Sequence, residues 1–211
     1  MAPVSKAFRI RSSLTAALLA GLLLPLLPAA DAAAPTAPPA PGRALTAMLI
    51  VARRVVADPN FGGAIVLVMN DLGPAPVGII LNRPMPLSVA RLFPRLKRLA
   101  HVHARVYYGG PVEFGRAWYL FRAKTAPAGA VRVCDGVYVS AGRKLLLRLL
   151  GRRQPMRGLR IFVGHAGWAP GQLQAEIEGG AWKPRRAEAD SIFHPEPLRP
   201  WPSPGPGKPG T

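Results

Sequence analysis

Short β-prone runs, set close together and each ended by turn residues, constrain this chain more than any other feature. Residues 45–51, 64–69 and 76–81 are apolar, rich in Ile and Val, and bounded on at least one side by Gly, Pro, Asn or Asp nearby. At that length and with that punctuation they read as strands. Asn70, Asp71, Gly73 and Pro74 fall between the second and the third, which calls for a hairpin. Residues 102–108 alternate Val102, Ala104, Val106 and Tyr108 on one face before Gly109-Gly110-Pro111 ends the run. Further strands are expected over 116–122, over 159–163, and over 131–134 and 137–139, the last two flanking the tight turn Asp135-Gly136.

Three helices are expected among these strands. Residues 87–99 repeat Val89, Leu92, Phe93, Leu96 and Leu99 at helical spacing, interrupted at Pro94. Residues 142–150 carry five leucines and follow Ser140, a candidate cap. A third helix starts at Pro170 and ends at Gly179-Gly180. Consecutive strands in hairpins with irregularly interspersed helices mean an α+β fold with a mostly antiparallel, curved sheet and about three helices. No repeat of solenoid period and no sustained heptad pattern is present.

The ends differ from the middle. Lys6, Arg9 and Arg11 precede an apolar run over 14–27 and small residues around Ala30-Asp31-Ala32-Ala33-Ala34, the layout of an export signal with cleavage expected after Ala32. The run is shorter than the ~20 residues a spanning helix needs, so a cleaved signal over 1–34 is expected, an uncleaved anchor being the alternative. No integral membrane span is expected once the signal is removed. Arg9 and Arg11 are not adjacent, and the general secretory route is the default. Residues 35–43 read as an Ala/Pro-rich linker, 44–194 as one folded domain, and 195–211 as a Pro/Gly-rich disordered tail.

Formal net charge is +18, and losing Lys6, Arg9, Arg11 and Asp31 with the signal leaves +16. Such a field attracts anionic ligands or polyanions, while the coincident abundance of Arg, Ala, Pro and Gly is equally the mark of compositional bias. No zinc-finger spacing or RNA-type aromatic-basic box is present. The single cysteine, Cys134, excludes an internal disulfide and sits in a strand-like run where a small buried hydrophobe is expected.

The most individual stretch runs from Gly164-His165-Ala166-Gly167-Trp168 through Pro170 and Gly171-Gln172 to Ile177. It reads as a strand end, a glycine-hinged turn bearing an exposed Trp, and a helix start. Asp58-Pro59-Asn60-Phe61 and Asn82-Arg83-Pro84 each join a hydrogen-bonding side chain to a proline. Brought beside Gly109-Gly110 and the 164–168 turn, they would form a polar, cationic pocket for a small anion; alternatively they satisfy their own turns. The expected ligand-binding set is Asn82, Arg83, Gly110, His165, Gly167, Trp168 and Gln172. His101 and His103 would share one strand face but lack a third ligand of matching spacing, so no metal and no other cofactor is expected. Ser140 lacks the glycine two residues earlier that a nucleophile elbow requires, and no acidic pair has a spacing that implies joint work. A hydrolase using Ser140 or Cys134 is therefore the weakest reading, and no catalytic residue is assigned.

Four segments taken together, Asp58-Pro59-Asn60-Phe61, Gly78-Ile79-Ile80-Leu81-Asn82-Arg83-Pro84, Gly109-Gly110-Pro111-Val112 and the stretch from Gly164 to Glu176, resemble the YqgE/AlgH family in order and spacing over about residues 45–201. Trp182, Phe193 and Trp201 resemble its closing pattern. The resemblance implies a small barrel-like sheet surrounded by helices, a bacterial source and no established activity. A link to transcriptional control of exopolysaccharide production is attached to the family name, but no DNA-reading motif accompanies it here. Members are ordinarily cytoplasmic, less basic, and carry an aromatic or similar residue where this chain has His165. The expectation is an exported binding or regulatory protein; the alternative is a cytoplasmic nucleic-acid-associated regulator.

Overall fold

The computed structural model describes residues 47–53, 58, 60–70 and 72–193. The expected signal, linker and tail lie outside them, as does Trp201. Among the described residues ten strands join in one sheet. β1 (Ala47–Ala52), β2 (Ile65–Met69) and β3 (Val77–Ile80) form an antiparallel meander, the last two making the expected hairpin. β4 (Pro84–Ser88) pairs with β5 (Arg105–Tyr108). β6 (Val112–Arg122), β7 (Val131–Cys134), β8 (Val137–Ser140), β9 (Leu159–Gly167) and β10 (Trp182–Arg186) complete it. The main path runs β10-β1-β2-β3-β9-β6-β8-β7. Every pairing is antiparallel except β5 with β9.

The sheet curls into a half-barrel, and its two faces explain why. Leu49 of β1 and Val139 of β8 stand far apart in the strand order, yet they share one cluster with Leu67, Ile79, Leu120 and Phe162. Only a sheet bent around its inward side chains brings them together. Because successive residues of a strand point to opposite faces, the alternate positions form an outer layer in two parts. Ile50, Val66 and Ile80 pack under α3 (Gln172–Glu178) with Trp168, Leu173 and Trp182. Tyr119, Phe121 and Ile161 pack under α2 (Arg143–Leu150) with Leu145, Leu146 and Leu149. Burial on both faces accounts for a continuous apolar run such as β2, buried at every position. Among the described residues no helix is long and apolar enough to cross a membrane.

Several expectations change. The helix expected over 87–99 is only α1 (Val89–Leu92) and a separate 3-10 turn at Lys97–Leu99. Residues before it belong to β4; Ser88 starts the helix, its Oγ accepting the Arg91 N–H at 3.3 Å, and Pro94 bars continuation. The strand expected from 102 begins at Arg105. Gly142, not Ser140, is the cap residue of α2; the Ser140 hydroxyl donates to the Gly129 carbonyl at 2.6 Å and accepts the Gly142 N–H at 3.1 Å. β10 and α4 (Ala189–Ile192) are additional, giving four short α-helices among the described residues. Ile192 and Ala187 close the inner core.

Candidate functional site

The glycines expected to hinge a turn instead let strands cross. β9 does not stop at Val163 but runs to Gly167, leaving β6 after the pair Val112↔His165 and pairing with β3 at Val77↔Gly167 and Gly78↔Ala166. Gly109 lies between them, its N–H donating to Val163 O at 2.8 Å and its carbonyl accepting from Ile80 N–H at 2.9 Å. Gly110 (φ +149) and Gly164 (φ +71) face each other so closely that a Cβ on either would collide with backbone, the His165 carbonyl in one case and the Gly110 carbonyl in the other. No side chain relaxes such a contact, and the pair is fixed by the crossing itself.

Beyond the crossing the chain forms a buried knot. Trp168, expected on the surface, is 6% exposed. Its indole Nε1 donates to Glu176 Oε2 at 2.9 Å, and Trp182 Nε1 donates to the same oxygen at 2.8 Å. Gln172 Nε2 donates to Glu176 Oε1 at 2.8 Å, while Gln172 Oε1 accepts the Ala169 N–H at 3.0 Å. Phe61 sets its ring edge-on to Trp182 at 5.8 Å. Gly78 makes room, since a Cβ there would lie 2.7 Å from the Trp168 ring. Glu176 is 3% exposed, and Trp168, Gln172 and Trp182 all meet it as neutral donors. Trp168 is thus buried in the fold, and the Gln172 side chain is engaged by Glu176 and the Ala169 N–H. Glu176 was legible from its spacing, one turn after Gln172 and between the core positions Leu173 and Ile177.

Asn82 and Arg83 bond to the backbone of the 62–65 segment rather than to their own turn. Asn82 Oδ1 accepts the Ile65 N–H and its Nδ2 donates to Gly63 O, both at 2.9 Å. Arg83 Nη2 donates to Gly62 O at 2.8 Å. Beside them the Tyr108 hydroxyl donates to Asn60 Oδ1 at 3.1 Å. Burial raises the Tyr108 pKa, Arg83 lowering and Asp58 raising it further.

Next to Tyr108, β6 slips register against β9 between Val112 and Ala117 in a bulge. Glu113 at the bulge has φ +47, the only non-glycine positive φ among the described residues. Val112 at 40% and Phe114 at 51% are the exposed large hydrophobics described. Phe114 lies against the Tyr108 ring at 6.1 Å. On the inner side of the bulge, His165 Nδ1 stands 3.8 Å from Glu113 Oε2, and its ring meets Trp118 edge-on at 5.8 Å. The Arg116 guanidinium covers the Trp118 ring at 5.2 Å. His165 Nδ1 and Trp118 Nε1 are buried and meet no hydrogen-bond partner among the described residues. Burial lowers the His165 pKa below the usual 6.5, Glu113 opposing the shift and Arg116 adding to it.

Of the expected set, buried Gly110 packs against the His165 backbone, Asn82 and Arg83 bond to the 62–65 segment, and exposed Gly167 has Val112 Cγ2 4.0 Å from a would-be Cβ. Sequence reasoning missed Glu113, Phe114 and Trp118, because a bulge is a departure from the alternation that marks a strand. His101 and His103 precede β5 and share no strand face; no group of three or more metal-capable His, Cys, Asp or Glu residues occurs among the described residues. Cys134 is half-buried, and burial followed by the neighbouring Asp135 pushes its thiol pKa up.

Known proteins resemble the chain along most of the described region. The AlgH-like family (DUF179) matches residues 48–203. A UPF0301 protein of Anaeromyxobacter dehalogenans is 38% identical over 154 residues, covering 68% of this chain and 78% of its own. Another, from Streptomyces avermitilis, is 36% identical over 167 residues, covering 75% and 83%. The solution structure of the AlgH protein from Pseudomonas aeruginosa superposes with a TM-score of 0.58 at 26% identity, covering 71% of this chain and 80% of that one. With the curled sheet, the crossing glycines and the motif from Gly164 to Glu176 all in place, this chain belongs to the AlgH-like, UPF0301 family.

Proposed function

We propose that the protein is an exported, non-catalytic binding module that meets its partner through the β6 bulge. One observation carries the reading: the bulge holds Phe114 outward on a strained backbone while His165 Nδ1 and Trp118 Nε1 lie buried beneath it without a hydrogen-bond partner among the described residues. Strain and unsatisfied polar groups are costly, and they persist where a ligand repays them. An apolar side chain held outward fits a partner that supplies an apolar surface.

The candidate nucleophiles support a non-catalytic role. The Ser140 hydroxyl proton is directed to a backbone carbonyl, not to a base, and the raised Cys134 pKa disfavours a thiolate. Export rests on the basic start, the apolar run over 14–27 and the small residues that follow.

A photocrosslinking residue at position 114, expressed in the full chain in cells of the source bacterium, tests both parts. The reading requires a discrete adduct from position 114, none from the exposed control position Lys124, and a mature N-terminus at Ala33. Adducts equal at both positions would overturn the binding surface. An intact Met1 in the soluble cytosol would overturn export and favour the nucleic-acid-associated alternative.

A further inference from the structure

We infer that the layer formed by α1, the 3-10 turn and α2 is a second interaction surface, independent of the bulge, and that its partner is an anionic lipid surface. The two halves of the outer layer differ in charge. Over one half, α3 carries Glu176 and Glu178 and no Lys or Arg; over the other, α2 carries Arg143, Lys144 and Arg148 and no acid. The contrast extends along the chain, because residues 84–112 and 136–175 contain no Asp or Glu at all.

These elements adjoin. Val89 of α1, Leu99 of the 3-10 turn and Leu145, Leu146, Leu149 and Leu150 of α2 share one core cluster, so the exposed side chains of all three elements stand on its solvent side. With the leucines turned inward, Arg143, Lys144 and Arg148 are left exposed at helical spacing along α2, and exposed Arg152 follows just past its end. Arg98 reaches across from the 3-10 turn, its Nη2 lying 3.7 Å from where a Cβ on Gly151 would stand at the carboxyl end of α2. Lys97 beside it is exposed. The ion pairs of the described residues occupy Glu113, Asp135 and Asp190, and none has its basic partner on this layer.

Chemistry and shape select the partner. α2 buries leucines from both its first and its last turn against Tyr119, Phe121 and Ile161 of the sheet. It therefore lies along the sheet and offers about 12 Å of its side, not the projecting helix or ribbon that enters a nucleic-acid groove. No exposed Phe, Tyr or Trp stands among the cations to stack on bases, the exposed large hydrophobics described being Val112 and Phe114 of the bulge. A row of cations without acids matches a plane of negatively charged headgroups. Because the apolar face of α2 is already spent in the core, attachment is electrostatic, with no side chain inserted among acyl chains. On the export reading, the leader with its basic start and apolar run over 14–27 brings the chain to such a surface.

Cosedimentation of the full chain with mixed phosphatidylglycerol–phosphatidylcholine vesicles, against vesicles of phosphatidylcholine alone, tests the surface. A preference for the mixed vesicles is expected, and it fades as salt is added. Arg143→Gln, Lys144→Gln and Arg148→Gln combined lower the partition onto mixed vesicles about a hundredfold, roughly fivefold per charge. Arg143→Lys with Arg148→Lys preserves it, since the surface offers charge and not a guanidinium fork. Lys124→Gln, Arg185→Gln and Arg186→Gln combined remove the same charge from exposed positions elsewhere and lower it by less than about fivefold. Every variant carries the same leader, so the differences report on the folded part. Equal losses from the two triple variants would reduce the effect to net charge and overturn the surface, as would equal partition of the parent onto both kinds of vesicle. A duplex oligonucleotide that binds more tightly than the mixed vesicles and is weakened by the α2 triple variant would give the face to nucleic acid and overturn the lipid assignment.

Discussion

The Glu176 knot and the β6 bulge lie on either side of the same glycine crossing and are built from similar residues, aromatic rings with an acid, yet they have opposite fates. In the knot each carboxylate oxygen has a donor: two indoles meet Oε2 and an amide meets Oε1. In the bulge the acid Glu113 is exposed, its neighbour His165 leaves Nδ1 without a hydrogen bond among the described residues, and Phe114 faces solvent. A satisfied buried network specifies structure, whereas an unsatisfied one with apolar exposure is poised for an external partner. The stretch from Gly164 to Glu176 is therefore scaffold in this chain, and the proposed binding surface lies where the sequence is least conspicuous.

The largest effect is expected where the two regions share β9. Gly164→Ala forces a Cβ into the Gly110 carbonyl, and the loss of stability in urea unfolding is expected to exceed about 4 kcal/mol, since both strand shift and a φ penalty are added. A loss under about 1 kcal/mol would mean that the crossing is loose and that the two regions are not rigidly joined. Gln172→Ala is a smaller blow, limited to the knot. It deprives Glu176 Oε1 and the Ala169 N–H of their partners and is expected to cost about 1–3 kcal/mol in the same experiment. It leaves crosslinking from position 114 unchanged; loss of the adduct would couple knot to bulge.

The pH response sharpens the contrast from the bulge side. The folded pKa of His165 is depressed, so between the folded and unfolded values the unfolded chain binds the additional proton and stability rises with pH. This contribution is fully present above about 6.5 and is lost as pH falls through the lower folded value. His165→Gln should flatten that part of the stability profile; a profile unchanged by the substitution would remove the histidine from the account. Smallest of all is Trp118→Phe. It deletes an N–H that has no partner among the described residues, so stability should move by less than about 0.5 kcal/mol while the position 114 adduct weakens. A large loss of stability would show that the N–H is already used within the fold.

Much of the fold was legible because alternation and turn residues report directly on a sheet. The hairpins 65–80 and 131–140 follow from β-branched runs around Asn70-Asp71 and Asp135-Gly136. The helix over 87–99 was misread because its apolar spacing serves two short pieces that cover the outer core, with β4 supplying Leu87. β10 was missed because Lys183, Pro184, Arg185 and Arg186 are exposed on an edge strand that buries only Trp182. Asn82, Arg83, Gly110 and His165 were singled out through their turn-like neighbours. Trp168 was misplaced, since glycines that permit a turn equally permit a crossing, and only the partner strand decides between them. Phe114 carried no signal: an exposed aromatic and a buried one are the same letter.

Urea unfolding of Glu176→Ala beside Phe114→Ser tests the division most directly. Glu176→Ala leaves two buried indole N–H groups without their acceptor, and a loss of about 3 kcal/mol or more is expected. Phe114→Ser is expected to stay within about 0.5 kcal/mol of the parent, because its ring is already half in solvent. A Phe114→Ser loss equal to or greater than that of Glu176→Ala would contradict the account, making the bulge part of the scaffold.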